Sequence, residues 1–228
     1  MIMQNTQEIL DELKQKYKNG EFRVLGGNVK TIEIQNAHFI CDKPWVVREP
    51  NYDYAKREIE WYHSQSLNVN DIPGDCPKIW RDCADPDGFI NSNYGWCIWS
   101  EENGYQYDHC IQTLVDDPMS RQGVMLYNRP SMQEEATKNG MHDFMCTYCV
   151  QCFLNLMHDD KYHLKYIVYM RSNDAVFGFD NDILWHEHVR DMMVNDLNAR
   201  LDKEVVADLV EWNAGSFHVY ERHFKFLE

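Results

Sequence analysis

Residues 146–170 constrain the fold more than any other stretch of the chain. CTYCVQCFLNLM (146–157) and YHLKYIVYM (162–170) are rich in Cys, Val, Tyr, Phe and Leu, and the polar residues 158–161 separate them. Two strand-forming runs around a short polar turn predict a β-hairpin. With the turn centred between Asp159 and Asp160, Cys146 lies opposite Asn173 and Arg171 is its diagonal neighbour. Diagonal neighbours in an antiparallel pair are roughly 7–8 Å apart. The hairpin therefore places a thiol and a guanidinium around one small site.

Other segments supply helices and further strands. Asn5 followed by Glu8 is a capping pattern, and Ile9, Leu10, Leu13 and Tyr17 follow at helical spacing until Gly20. Residues 29–34 alternate around Ile32 and Ile34 and predict a strand. A helix is expected over 54–66, with Ala55, Ile59 and Tyr62 as its apolar stripe. Glu58 sits beside that stripe, with Tyr54 one turn before it and Tyr62 one turn after. Position alone favours a solvated rim carboxylate, the alternative being a desolvated acid with a raised pKa. Residues 180–197 predict a helix burying Trp185, Val189, Met192 and Met193, and GSFHVYERHF (215–224) a closing strand. No repeat or Gly/Ser/Pro linker divides the chain, so residues 1–228 are expected to form one domain.

Charge and cysteine usage narrow the function. Lys and Arg total 22 against 37 Asp and Glu, a net charge of −15. A duplex-binding protein needs a basic face, so nucleic acid is not an expected partner. A small anion can still be held by a few placed arginines. Residues 1–7 are polar, with no leader pattern, and no stretch reaches the ~18 apolar residues of a membrane span. The eight cysteines then read as reduced thiols in a cytoplasm.

Cys146, Cys149 and Cys152 repeat a CxxC spacing, but the intervening Thr-Tyr and Val-Gln are strand formers rather than a zinc knuckle's tight turn. In a strand Cys146 and Cys149 point to opposite faces, and Cys146 and Cys152 are roughly 20 Å apart. Cys149 and Cys152 read as core thiols. Cys146, at the strand start and near a cation, reads either as a third core thiol or as a nucleophile with a lowered pKa. His186 and His188, two apart on a helix, face different directions and do not form a metal site. No metal is expected.

The order Cys146-x4-Gln151, Arg171-Ser172-x-Asp174, Gly178 and His218-x-Tyr220 resembles the thymidylate synthase family. VKTIEI (29–34), INSNYGWCIWS (90–100), RPSMQ (129–133), DFMCT (143–147), MRSNDAVFGFDND (170–182) and GSFHVYERHF (215–224) are similar in particular to its phage deoxycytidylate hydroxymethylases. The resemblance runs from about residue 25 to the end. It implies an α+β fold: a large mixed sheet, helices packed on one face, and a dimer across the other.

The resemblance also implies roles. Cys146 matches the nucleophile that adds to C6 of the pyrimidine, and Tyr94 lies near it. Glu58 matches the acid that manages protons and ordered water. Arg171 and Ser172 match the 5′-phosphate grip, and Arg121 an arginine contributed across a homodimer interface. His218 and Tyr220 match the pair that binds the sugar 3′-hydroxyl. Ile79, Trp80, Asp174 and Gly178 match residues that contact the folate, here 5,10-methylenetetrahydrofolate.

Asp182 stands where thymidylate synthases carry Asn, and it implies dCMP rather than dUMP. A carboxylate accepts from the cytosine amino group, where an Asn amide suits O4 and N3–H of uracil. The plain alternative for Asp182 is a helix N-cap. A dUMP hydroxymethylase, a thymidylate synthase and a CMP hydroxymethylase are the alternative activities. The chain departs from the family at Gln122, where a second arginine commonly follows Arg121. Arg129 is a stand-in there, and Lys30 for a phosphate-loop arginine near Gly26 and Gly27. Thr147 replaces the His that follows the nucleophile in thymidylate synthases.

Overall fold

Asn5 and Glu8 start the first helix where the sequence predicts it. Glu8 N–H donates to Asn5 Oδ1 at 3.0 Å, and Asn5 N–H donates back to Glu8 Oε2 at 2.9 Å. Gly20 ends the helix in the left-handed region at φ 72°. This is a computed structural model, and it describes residues 3–228. Met1 and Ile2 of the polar start lie outside the described residues.

The strands are β1 (Gln4–Asn5), β2 (Arg23–Val24), β3 (Lys30–Ile40), β4 (Val124–Leu126), β5 (Thr147–Leu156), β6 (Tyr162–Met170), β7 (Asn173–Asp174), β8 (Val205–Ala207) and β9 (Glu211–Tyr220). The helices are α1 (Thr6–Asn19), α2 (Tyr52–Ser64), α3 (Lys78–Cys83), α4 (Tyr94–Trp99), α5 (Gln106–Asp116), α6 (Met132–Glu135) and α7 (Phe179–Asn198). They form two compact units. One comprises residues up to 51 with 154–228, the other residues 52–153.

The first unit is built on a mixed sheet. β3 and β9 are antiparallel; β1 runs parallel to β3, and β6 and β7 run parallel to β9. Helix α7 packs on β6 and β8, and α1 on β3. Phe39, Phe179, Trp212 and Phe217 meet in the core at centroid distances of 5.1 to 5.6 Å. The aromatic edges and faces interlock there rather than stack.

The predicted strand at 29–34 is longer than its alternation suggests, because the alternation changes phase. Ile32 and Ile34 are buried before Asn36, and Ala37 and Phe39 after it. Asn36 has φ 55°, while the register with β9 continues unbroken on both sides. The partner strand changes phase at the same level, from Trp212 and Ala214 to Phe217 and Val219. Gly215 lies there, and a Cβ on it would come within 2.9 Å of the Arg171 carbonyl oxygen.

The hairpin forms, with one correction. Met157 N–H donates to Lys161 O and Asp160 N–H to Met157 O, each at 3.0 Å, and Asp160 has φ 62°. That is a three-residue loop with its last residue left-handed. Pairing at the turn is therefore one residue off the register counted from a centre between Asp159 and Asp160.

The second unit is mostly helical. Trp61 and Tyr62 of α2, Cys97 and Ile98 of α4, and Tyr107, Ile111 and Leu114 of α5 are buried, with Met125 of β4. Helix α2 ends two residues before the predicted boundary, since Gln65 turns left-handed at φ 56° and its N–H bonds Tyr62 O. Gly95 lets α4 sit against the end of α2: a Cβ there would lie 1.9 Å from the Tyr62 carbonyl oxygen. Tyr62 and Tyr94 stack beside this contact, 5.2 Å apart. Among the described residues no helix is long and apolar enough to cross a membrane.

Candidate active site

Glu58 is buried, 5% exposed, in the second turn of α2. This corrects the rim placement that position alone favours. The donors that make burial tolerable come partly from outside the helix. Tyr54, one turn earlier, donates its phenolic hydrogen to Glu58 Oε1, and the Trp80 indole N–H of α3 reaches the same oxygen at 2.8 Å. The Trp80 nitrogen also lies 2.9 Å from Tyr54 Oη. Burial pushes the Glu58 carboxyl upward, and the two donors oppose the shift without cancelling it. Burial and the adjacent carboxylate push the Tyr54 phenol far upward, so it stays a donor. Ile79, the neighbour of Trp80, is 62% exposed.

Cys146 is half-buried immediately before β5, and the next residue fixes its surroundings. The buried Thr147 hydroxyl donates to Tyr94 Oη at 3.0 Å. Tyr94 thus stands beside the strand start. The segment before α4 is held by Asp143, whose carboxylate accepts from Asn91 N–H, Ser92 N–H and the Ser92 hydroxyl at 2.6 to 2.8 Å. Asn93 caps α4 by accepting from Trp96 N–H at 2.8 Å. Cys152 is buried and Cys149 half-buried, and burial raises both thiols. Among the described residues no group of His, Cys, Asp and Glu side chains could hold a metal ion.

Arg121 is exposed, and its carbonyl oxygen accepts from Gln151 at 3.1 Å. Arg129 is committed within its own unit. It pairs with Glu135 at 2.5 Å, donates to Ser131 and Asn103, and lies 4.5 Å over the Trp96 ring. Its charge is neutralised there by Glu135. The Lys30 amine lies 5.6 Å over the exposed Phe22 ring.

In the first unit, Arg171 and Ser172 follow β6 directly, and Ser216 N–H bonds the Arg171 carbonyl at 3.1 Å. β7 then pairs Asn173 with Phe217 and Asp174 with His218. His218 is buried, 3.2 Å from the Ser216 hydroxyl and edge-on to Tyr220 at 4.8 Å. Burial lowers its pKa most, and Asp174 pulls the other way. The ring is therefore neutral near pH 7 and can donate or accept. Arg171 also lowers it, which places the guanidinium within electrostatic reach of the His218 ring.

Asp182 lies in the fourth position of α7, so it is not the helix cap; the cap position is Gly178. Its Oδ2 accepts from the Asn173 amide at 2.7 Å. Gly178 makes room for this pair, because a Cβ on it would sit 3.3 Å from the Asn173 nitrogen. Asn173 and Tyr54 carry no role in the sequence reading. Tyr54 was visible as the residue one turn before Glu58, and Asn173 only as a letter within the RSND motif. Arg48 is a third addition, 3.7 Å from Asp180 and 4.5 Å over the Phe177 ring.

The thymidylate synthase family model matches residues 6–228. The chain is 49% identical over 223 residues to the deoxycytidylate 5-hydroxymethyltransferase of Enterobacteria phage T4, covering 97% of this chain and 89% of that one. The corresponding phage T6 protein is equally similar. A thymidylate synthase of Francisella tularensis is 27% identical over 179 residues, 74% of this chain and 61% of that one. Among solved structures, the thermostable thymidylate synthase A of Bacillus subtilis has the same fold, with a TM-score of 0.68 at 20% identity, covering 98% of this chain and 82% of that one.

Proposed function

The chain belongs to the thymidylate synthase family, and on that premise we propose that it is a deoxycytidylate 5-hydroxymethyltransferase acting in a cytoplasm as one catalytic domain. It adds a hydroxymethyl group to C5 of dCMP, with 5,10-methylenetetrahydrofolate as the one-carbon donor. The observation that carries the choice of base is Asp182, an acceptor-only group whose carboxylate is oriented by the Asn173 amide. A carboxylate suits the amino group at C4 of cytosine and repels the carbonyl oxygen at C4 of uracil.

The residues present fit a folate. Exposed Ile79 beside Trp80, whose N–H is bonded to Glu58, offers apolar surface to a flat pterin ring. Ile79, Trp80, Asp174 and Gly178 are the residues assigned to hold it. When bound, it supplies a carbon at the oxidation level of formaldehyde.

The rest of the chemistry falls to side chains of the chain. The Cys146 thiolate adds to C6, and the displaced C5=C6 electron pair makes C5 nucleophilic toward that carbon. Loss of the C5 proton, with cleavage of the carbon–nitrogen bond to departing tetrahydrofolate, leaves an exocyclic methylene on C5, to which water adds. Cys146 Sγ then leaves C6, restoring the ring and the thiolate. Glu58 orders the water and moves the protons. Its raised pKa keeps a proton on it at a pH where an exposed carboxylate has lost one. Tyr94 shapes the surroundings of the thiol through Thr147. Arg171 and Ser172 hold the 5′-phosphate, and neutral His218 with Tyr220 holds the 3′-hydroxyl. Exposed Arg121 reaches the phosphate bound by a second copy, so the working form is a homodimer.

The test is substrate competition with tritium at C5 of each nucleotide. Release from dCMP is expected to exceed release from dUMP by at least about a hundredfold in kcat/KM, because a buried polar contact rejects a base that cannot complete it. Equal release, or a preference for dUMP, overturns the reading.

A further inference from the structure

The two oxygens of the Glu58 carboxyl are not equivalent. Tyr54 donates its phenolic hydrogen to Oε1. The single N–H of Trp80 lies 2.8 Å from the same oxygen and 2.9 Å from Tyr54 Oη. Among the described residues, both side-chain hydrogen bonds to Glu58 end on Oε1. A carboxyl oxygen offers two lone-pair sites, and two donors fill both. A proton taken up by Glu58 is therefore left with Oε2, and so is a water that Glu58 orders.

Tyr54 is held in place for this task. It lies one turn before Glu58 on α2. The Arg57 guanidinium lies 5.4 Å over the Tyr54 ring. Arg57 also donates to the Pro73 and Asp75 carbonyls, on the segment that leads into α3 and Trp80. Gly74 leaves the guanidinium room, since a Cβ there would come within 2.9 Å of it. Burial and the adjacent carboxylate keep the phenol protonated near neutral pH, so Tyr54 gives a fixed hydrogen bond and trades no proton of its own.

We propose that Tyr54 is a positioning residue, which fills Glu58 Oε1 together with Trp80 and so reserves Oε2 as the oxygen that passes protons and orders the attacking water. The proposal rests on the reading of Glu58 as the residue that moves protons and orders water. Burial raises the Glu58 carboxyl, and the Tyr54 and Trp80 donors oppose the rise. Cys76, before α3, is a further titratable group within electrostatic reach. Its thiol is raised by burial, lowered by Arg81 and raised by Glu58, with a net rise that leaves it neutral near pH 7. Without the Tyr54 hydroxyl, one opposing contribution is lost and the Glu58 midpoint moves up. Oε1 then also competes with Oε2 for the proton and the water, and the productive arrangement is populated less.

The experiment uses the full chain with Tyr54→Phe, which keeps the ring beneath Arg57 and removes only the hydroxyl. kcat and KM for dCMP are measured. The Glu58 carboxyl is titrated by infrared spectroscopy in ligand-free protein, its band identified by loss in Glu58→Gln. kcat is expected to fall by about tenfold or more, with KM for dCMP within about threefold of wild type. The carboxyl midpoint is expected to rise by about one pH unit. In a folded variant, kcat within about twofold of wild type, or a midpoint that does not move, overturns the proposal, because a merely structural tyrosine leaves the carboxyl's titration alone. Should Tyr54→Phe fail to fold, a crystal of the wild-type protein with dCMP decides. An ordered water on Glu58 Oε2 supports the assignment, and one on Oε1 overturns it. Failure of the underlying reading is distinguishable, since Glu58→Gln would then turn over dCMP as wild type does.

Discussion

Cys146→Ser is expected to lower turnover of dCMP by at least about ten-thousandfold while dCMP binding stays within about threefold of wild type. The hydroxyl is nearly isosteric with the thiol, but it is far less ionised and a much poorer nucleophile toward C6. The Thr147 hydroxyl donates a hydrogen bond to Tyr94, and the substitution leaves that anchor in place. Single-turnover C5 exchange measures the chemical step, and calorimetric titration measures binding. Cys149→Ser is the control: it changes a half-buried thiol of the same strand, whose pKa is raised rather than lowered. Unchanged exchange in Cys146→Ser contradicts the assignment of the nucleophile.

Asp182→Asn carries the second large effect. The substituted amide offers a donor where the carboxylate offered none, so it can meet a carbonyl oxygen at C4. kcat/KM for dCMP is expected to fall by about a hundredfold or more and that for dUMP to rise, reversing the order of the two substrates. The Asn173 amide still finds an acceptor in the new side chain's oxygen, so α7 should keep its place against β7. Steady-state kinetics with both nucleotides, at matched thermal stability, measures the reversal. A variant that keeps its preference for dCMP shows that another group reads the base.

The legible parts of the fold are those set by neighbours in sequence. The Asn5–Glu8 cap, the Gly20 stop and the existence of the hairpin depend on residues a few positions apart, and the sequence patterns there match the structure, although the hairpin's register is one residue off. The phase change at Asn36 was not legible. It falls at the level where the burial phases of β3 and β9 change together, and the close approach of Arg171 O to Gly215 belongs to the folded sheet. The same contrast holds at the site. Position on α2 suggests a solvated Glu58, because the Trp80 indole that makes its burial tolerable lies on a different helix. Motif order supplied roles for Cys146, Arg171 and His218, but it could not show that Asn173 orients Asp182. That contact joins the short strand after Arg171 to the first turns of α7, and only coordinates bring the two together.

Product analysis in heavy-oxygen water tests together whether cytosine is the base and whether water is the final nucleophile. Wild-type protein is incubated with dCMP and 5,10-methylenetetrahydrofolate in that solvent, and the nucleotide product is weighed by mass spectrometry. The predicted product is 5-hydroxymethyl-dCMP with solvent oxygen in the new hydroxyl group. A product methylated at C5 with no oxygen added, or product formed only when dUMP replaces dCMP, would contradict it.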